Sequence, residues 1–445
     1  MHLKCTTTTY EKKERQIAIK EVAFVPETGI ENEAVNLHPE IENHIFEGFG
    51  GAFTDAAGYV YAQMDDKQKE ELVRTFYDKD EMNYQFGRVH LDSCDFSTSQ
   101  YEAMSDPTDR EMKSFSLDRM KENALPLLAD VQQYTGKKIE LLASPWSPPS
   151  FMKSNKERLH GGHLLTEYYE FWADYICKYI VELAKVDCHI SSLTLQNEAK
   201  AWQMWDSCEY TVEEEKEFLK AMYASLCAHD LQHVGIYIWD HNKERLYERA
   251  LGIIDDETDK MVTGLAFHWY SGDHFESLDL VRRKFPDKKL IMSEGAYPFS
   301  PYGSKTNLKN AQKYAHDLIG NLNHGMSAFY DWNFVLDEIG GPNHVGYYCE
   351  APYEYDTKKK ELKERRCLHY LWHFSHFIEP GAVSIGFSRY AESVDMTAFK
   401  NPDGKIVGVV MNTTKKKLPI VFRLAGCEAA IELDGKSITT FEIEM

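Results

Sequence analysis

Eight short apolar runs, each ending in polar or potentially reactive residues, recur between positions 46 and 334. They constrain the fold of this chain more than any other feature. They are Phe46–Phe53, Phe86–Leu91, Ile139–Ser144, Ser192–Gln196, Gly235–Trp239, Gly264–His268, Lys289–Ser293 and Met326–Asn333. Segments of helical period lie between them. Glu167–Leu183 is one, and Phe275–Phe285, with apolar residues at 275, 278, 280, 281 and 285, is another. Parallel neighbours need crossover connections, so strands alternating with helices predict a parallel sheet. Eight repeats over this span suit a closed (β/α)8 TIM barrel. An open doubly wound sheet should carry a Gly-rich phosphate turn, but Gly48–Phe53 lacks the third glycine of that pattern.

After residue 378 the texture changes. Six short strand-like runs follow one another, punctuated by Asn401-Pro402-Asp403-Gly404 and Asp434-Gly435. They predict an appended antiparallel β-sandwich domain. Gln16–Val25 also reads as a strand that could join the sandwich and tie the termini together. The expected organisation is therefore 1–45 as N-terminal strands of the sandwich, 46–378 as the barrel and 379–445 as the C-terminal sandwich.

The chain's 445 residues carry 50 basic and 71 acidic side chains, a formal charge of −21. A nucleic-acid partner would call for a basic stripe, which is absent, and an acidic surface disfavours anionic lipid. The start lacks an apolar signal core and no run approaches a membrane span, so a cytoplasmic location is the expectation. Nine scattered cysteines without a CxxC pair read as reduced thiols. Oligomeric state is not legible.

In a barrel, working groups sit just past the C-terminal ends of strands. Asp92 and Asp95 follow the second run, Trp146 the third, Asn197-Glu198 the fourth, His268-Trp269-Tyr270 the sixth, Glu294 the seventh and Trp332-Asn333 the eighth. One mouth would thus collect two glutamates, an asparagine, a histidine and several aromatics. A glycosidic bond needs a proton donor for its leaving oxygen and a second carboxylate for the oxocarbenium-like centre. Sugar faces stack on aromatic rings and polar side chains bind the hydroxyls. A single Glu is more often a solvated surface residue, but two that end apolar strands favour chemistry.

Competing groupings are weaker. His369, His373 and His376 share one helical face, but no carboxylate sits among them at ligand spacing. A barrel helix packed on the sandwich accounts for them better, and no metal or organic cofactor is expected. Cys94 reads as a buried thiol. Neither G-x-S-x-G nor a P-loop is present, which disfavours an esterase or an NTPase.

Several pieces, in order, resemble glycoside hydrolase family 30. They are Gly48–Asp55, Arg88-Val89, Ser93–Ser97, Ala143–Pro149, Gln196-Asn197-Glu198, His268-Trp269-Tyr270, Ser293-Glu294 and Trp332-Asn333. The resemblance implies a retaining glycosidase with Glu198 as acid/base and Glu294 as nucleophile. Asn197 would bind the sugar 2-hydroxyl and help position the nucleophile. Asp95 and Trp146 would hold hydroxyls on the far side of the ring, beside a wall that includes Trp332. His268 and Tyr270 would orient Glu294, and Asn333 would belong to the rim. Ala199 stands where many relatives have proline, which leaves the Ala199–Glu209 loop, with Trp202, Met204 and Trp205, open in shape.

A retaining pair should sit about 5–5.5 Å apart, with Glu198 holding the proton. The implied substrate is a β-glycoside or oligosaccharide cleaved from its end, a β-glucoside first. β-Xylosidase, β-fucosidase and β-1,6-glucanase are alternatives, and a non-catalytic sugar-binding protein is the reading of another class. Glucosylceramide itself is not expected, since no lipid-facing feature stands out. The loops 199–209, 297–307 and 337–355 should decide the sugar.

Overall fold

The computed structural model describes residues 1–29, 31–298 and 307–444. Eight parallel strands close into a barrel, each hydrogen-bonded to its sequence neighbours, with the eighth returning to the first. They are Gly48–Ala52, Phe86–Leu91, Glu140–Pro145, His189–Thr194, Gly235–Asn242, Gly264–His268, Lys289–Glu294 and Ala328–Asp331. The second and sixth fall where the apolar runs predict them. The fourth starts and ends earlier than expected, so Leu195 and Gln196 intervene before Asn197-Glu198.

The strand interiors are apolar because both faces are covered. Leu142, Tyr237, Ala266, Ile291, Ala328 and Tyr330 form one packed cluster, as expected of a filled barrel interior. The first strand has no side chain at Gly50 and Gly51 for a steric reason. A Cβ at Gly50 would sit 2.7 Å from the Phe86 carbonyl oxygen, and one at Gly51 would sit 2.4 Å from the Phe334 ring.

The outer helices are amphipathic in the expected register. Tyr169–Ala184 buries Trp172, Ala173, Ile176, Tyr179, Ile180 and Leu183, positions that recur on one helical face. Val212–Ala228 opens on a capping box between Thr211 and Glu214. Among the described residues no helix is long and apolar enough to cross a membrane.

A separate ten-stranded sheet combines both ends of the chain. His2–Glu11 pairs antiparallel with Glu14–Ala23 on one side and with Ser437–Glu444 on the other. The latter pairing puts Leu3 opposite Ile443. Ala34–Phe46 lies between Ala382–Tyr390 and Leu418–Leu424. Its inner residues, including Leu3, Val35, Ile406, Phe422 and Phe441, form their own core. The helix Arg366–Ser375 stands between barrel and sandwich. The two ring nitrogens of His373 lie 2.8 Å from the hydroxyls of Thr440 and Thr8, both sandwich residues. His369 meets Tyr10 and Glu364, and His376 meets the Glu81 carbonyl. The three imidazoles thus serve separate hydrogen bonds across this contact.

Candidate functional site

At the C-terminal mouth of the barrel lies a cavity of about 520 Å³. Asp95, Trp146, Asn197, Glu198, Tyr270, Glu294 and Trp332 all line it, so seven of the nine side chains singled out in the sequence meet there. His268 is fully buried beneath this lining. Asn333 is also fully buried, and its amide oxygen accepts from Thr54 Oγ1. Thr54 in turn caps the helix Asp55–Tyr61. Asn333 therefore braces the first strand's exit instead of forming the rim.

Arg88 organises the floor. It comes from the middle of the second strand, is wholly buried, and fans its guanidinium over four elements. Nη1 donates to Glu294 Oε2 at 2.7 Å and to the Ser293 carbonyl at 3.2 Å. Nη2 donates to Asn197 Oδ1 and Asp240 Oδ2, each at 2.9 Å, and Nε donates to Ser144 Oγ at 3.1 Å. Five donors in a fixed fork are what this arrangement needs. The cation also lies 4.9 Å from the Trp146 ring and 5.4 Å from the Trp332 ring. Those two indoles stack, with centroids 5.3 Å apart.

Asp240 arrives through a bulge. Ala266 pairs with Trp239, but Phe267 pairs with His241, so Asp240 is the extra residue in the fifth strand. Its carboxylate receives Arg88 Nη2, Thr194 Oγ1 at 2.6 Å, the Ser293 hydroxyl and His268 Nε2 at 3.0 Å. Burial would raise this carboxyl, but Arg88 first and His268 next hold it well below the usual carboxylate range.

The two glutamates have different surroundings. Glu294 accepts from Tyr270 Oη at 2.9 Å as well as from Arg88. Glu198 Oε1 lies 3.4 Å from His268 Nδ1 and 3.5 Å from His241 Nδ1, and Gln203 approaches Oε2 at 3.3 Å. Its backbone is left-handed, with φ of +51°. That conformation is uncommon for a residue other than glycine, and it clusters at functional sites.

Two expectations need correcting. His268 does not bond Glu294; it bridges Asp240 to Glu198, and Tyr270 alone of the pair reaches Glu294. The proton is also placed differently. Burial would push Glu198 up, but the neighbouring His241 and His268 outweigh it and hold its carboxyl well below the usual range. Burial opposes charge on His268, yet the negative charge of Glu294 and the bonds to Asp240 and Glu198 push its pKa up to about 10. The proton of this contact therefore rests on the imidazole in the free site. Asp95 is shifted the other way from Glu198: burial first, then the charges of Glu294 and Glu198, raise it well above its ordinary value. Its Oδ1 is buried without a partner.

The segments around the mouth are tied together. Trp205 stacks on Tyr347 at 5.4 Å, bringing the 199–209 and 337–355 loops into contact. Arg158 binds Asp206 at 2.7 Å and Asp92 at 3.4 Å, and His344 lies 3.4 Å from Asp206. Trp202 and Met204 stand outward, 57% and 60% exposed. Tyr347 and Cys349 wall the cavity, as does Tyr297. Residues 299–306 of the third loop lie outside the described residues.

Comparison with known proteins fits this geometry. The family described as "Glycosyl hydrolase family 30 TIM-barrel domain" matches residues 46–378, and "Glycosyl hydrolase family 30 beta sandwich domain" matches 381–441. Putative glucosylceramidase 3 of Caenorhabditis elegans is 30% identical over 92% of this chain and 82% of its own. SrfJ from Salmonella typhimurium superposes over 100% of both chains with a TM-score of 0.95 at 33% identity. The endo-β1,6-glucanase BT3312 covers 99% of both chains with a TM-score of 0.86 at 25% identity.

Proposed function

The chain belongs to glycosyl hydrolase family 30, and from that premise we propose that it is a retaining, exo-acting β-glycosidase whose first substrate class is β-glucosides. The observation that carries this reading is the pair of glutamates from the fourth and seventh strand ends lining one aromatic-walled cavity. Glu294 is the nucleophile. Arg88 and Tyr270 hold its two oxygens, which fixes the carboxylate for attack on the anomeric carbon. Glu198 is the acid/base. The proton that His268 holds in the free site passes through Glu198 to the glycosidic oxygen as that bond breaks. In the second step Glu198 takes a proton from the water that releases the sugar from Glu294.

The remaining lining divides by chemistry. Asn197 gives its amide oxygen to Arg88, leaving its NH2 to donate to the sugar 2-hydroxyl. Asp95, its pKa raised and its buried Oδ1 without a partner, suits hydroxyls at the far end of the ring, against the Trp146–Trp332 stack. The name of the Caenorhabditis relative supports a β-glucoside. A β-1,6-glucan is the second reading, supported by the likeness to BT3312 over almost the whole chain.

A panel of aryl β-glucoside, xyloside, fucoside and galactoside, with β-1,6-glucan as the polymer, tests the substrate. NMR of the first-formed sugar anomer tests retention. Glu294→Gln should abolish turnover, whereas Glu198→Ala should still cleave substrates with good leaving groups and be rescued by azide. Full activity of Glu198→Ala on unactivated glycosides would overturn these roles.

A further inference from the structure

The bulge that turns Asp240 into the barrel presents the next residue, His241, to the cavity. There it meets Glu198 and His268. Among the described residues these three form the one grouping of metal-capable side chains whose ligand atoms all lie within 4.8 Å of one another.

The orientation of each group is set from behind. His268 Nε2 faces Asp240 Oδ1 at 3.0 Å. A carboxylate only accepts, so Nε2 carries its hydrogen there and Nδ1 is the nitrogen aimed at Glu198. His241 Nδ1 is buried and has no hydrogen-bond partner. Two ring nitrogens therefore converge on one carboxylate oxygen, and a metal entering between them releases the proton that His268 holds in the free site.

The spacing suits a particular cation. Tetrahedral zinc with bonds of about 2.05 Å places its ligand atoms about 3.4 Å apart. Glu198 Oε1 stands 3.4 Å from His268 Nδ1 and 3.5 Å from His241 Nδ1. Asp240 behind His268 completes the carboxylate–histidine–metal arrangement that orients imidazole ligands.

We propose that Glu198, His241 and His268 form a zinc-binding site inside the catalytic cavity, and that zinc bound there switches hydrolysis off. The metal occupies the oxygen that must deliver and recover the proton, so enzyme and zinc form a dead-end complex. The inhibition rests on the reading of Glu198 as acid/base; the metal binding does not.

Cobalt(II) tests the site on its own. The full chain, stripped with a chelator, should bind one Co2+ with the strong visible d–d absorption of low coordination number, and zinc should displace it. Zinc should also inhibit aryl β-glucoside hydrolysis, reversibly with EDTA. His241→Gln removes one ligand, so both Co2+ affinity and zinc inhibition, each scored against that variant's own metal-free rate, should weaken by at least about 10-fold. If wild type shows no such Co2+ band, or if His241→Gln binds equally well, the site is refuted. A metal bound through His241 that leaves turnover untouched would uphold the site and overturn the acid/base role of Glu198.

Discussion

Replacing Asp240 with Asn removes one buried charge and almost no volume, so it isolates what that charge does. The Asp240 carboxylate and the His268 ring are in contact at 3.0 Å, which puts their charge centres about 4 Å apart. At an effective dielectric near 20 that attraction is about 4 kcal/mol, or about three pKa units. His268 gains a proton when it becomes charged, so losing the anion beside it lowers its pKa. Starting from about 10, it should fall to roughly 7 in the variant.

The readout is the alkaline limb of kcat/KM on an aryl β-glucoside, which reports the free enzyme. That limb belongs to the Glu198–His268 pair as a unit. In wild type it should lie well above the ordinary histidine range, and in Asp240→Asn about three units lower. Stability must move consistently. His268 has a folded pKa above its ordinary 6.5, so its contribution is complete below that value and is lost as the pH rises toward about 10. The variant loses most of that window. It also strips Arg88 of one anion, at a cost of about 3–5 kcal/mol. A variant with an intact circular dichroism spectrum and an alkaline limb within about half a unit of wild type would refute the assignment.

Other outcomes follow from single contacts. Tyr270→Phe deletes the hydroxyl on Glu294 Oε1 and should lower kcat/KM about 10- to 150-fold, the equivalent of a 1.5–3 kcal/mol charge-assisted bond. Its side chain is 39% exposed, so the thermal unfolding midpoint should barely change. His373→Ala strands the Thr8 hydroxyl between barrel and sandwich, while Thr440 keeps its bond to the residue-373 carbonyl; with the cavity left by the ring, denaturant titration should show a loss of about 2–4 kcal/mol with activity per folded molecule retained. Trp202→Ala should change stability by less than about 0.5 kcal/mol yet raise KM for glucosides with apolar aglycones and not for methyl β-glucoside.

The strands were legible because a buried parallel strand is a continuous apolar run. Phe86–Leu91 and Gly264–His268 match their runs residue for residue. The glutamates were legible because acids at the ends of such runs have few structural reasons to be there. Arg88 carried a comparable signal, a charge in the middle of a buried strand, although nothing local says which anions it serves. Asp240 and His241 directly follow the fifth run and satisfy the criterion that singled out Glu198 and Glu294. Their importance lies in a one-residue bulge, which depends on the register against Ala266 and Phe267 and leaves no periodic trace. The partner of His268 was misread for the same reason. Its position after the sixth strand was plain, but a residue between two neighbouring strand ends can face either way.

A pattern in the backbone explains why the site resists reading at this finer level. Asp92, Glu198, Trp239, Asp240 and Asn333 all adopt left-handed φ, at +58°, +51°, +75°, +47° and +70°. Each sits at a strand's exit from the barrel, and each would be glycine if only the turn mattered. A glycine would relax the chain but delete the anchor for Arg158, the group facing His241, the indole that donates to the Asn242 carbonyl, the partner of Arg88 or the brace on Thr54. Strain of about 1–3 kcal/mol per position is kept because each side chain is also held by its neighbours. Glu198, for example, donates its amide to the Asp240 carbonyl at 2.8 Å. The backbones of the fourth and fifth strand ends therefore support each other, and the same hydrogen bond that stabilises the turn fixes the distance between Glu198 and the histidines that govern its proton.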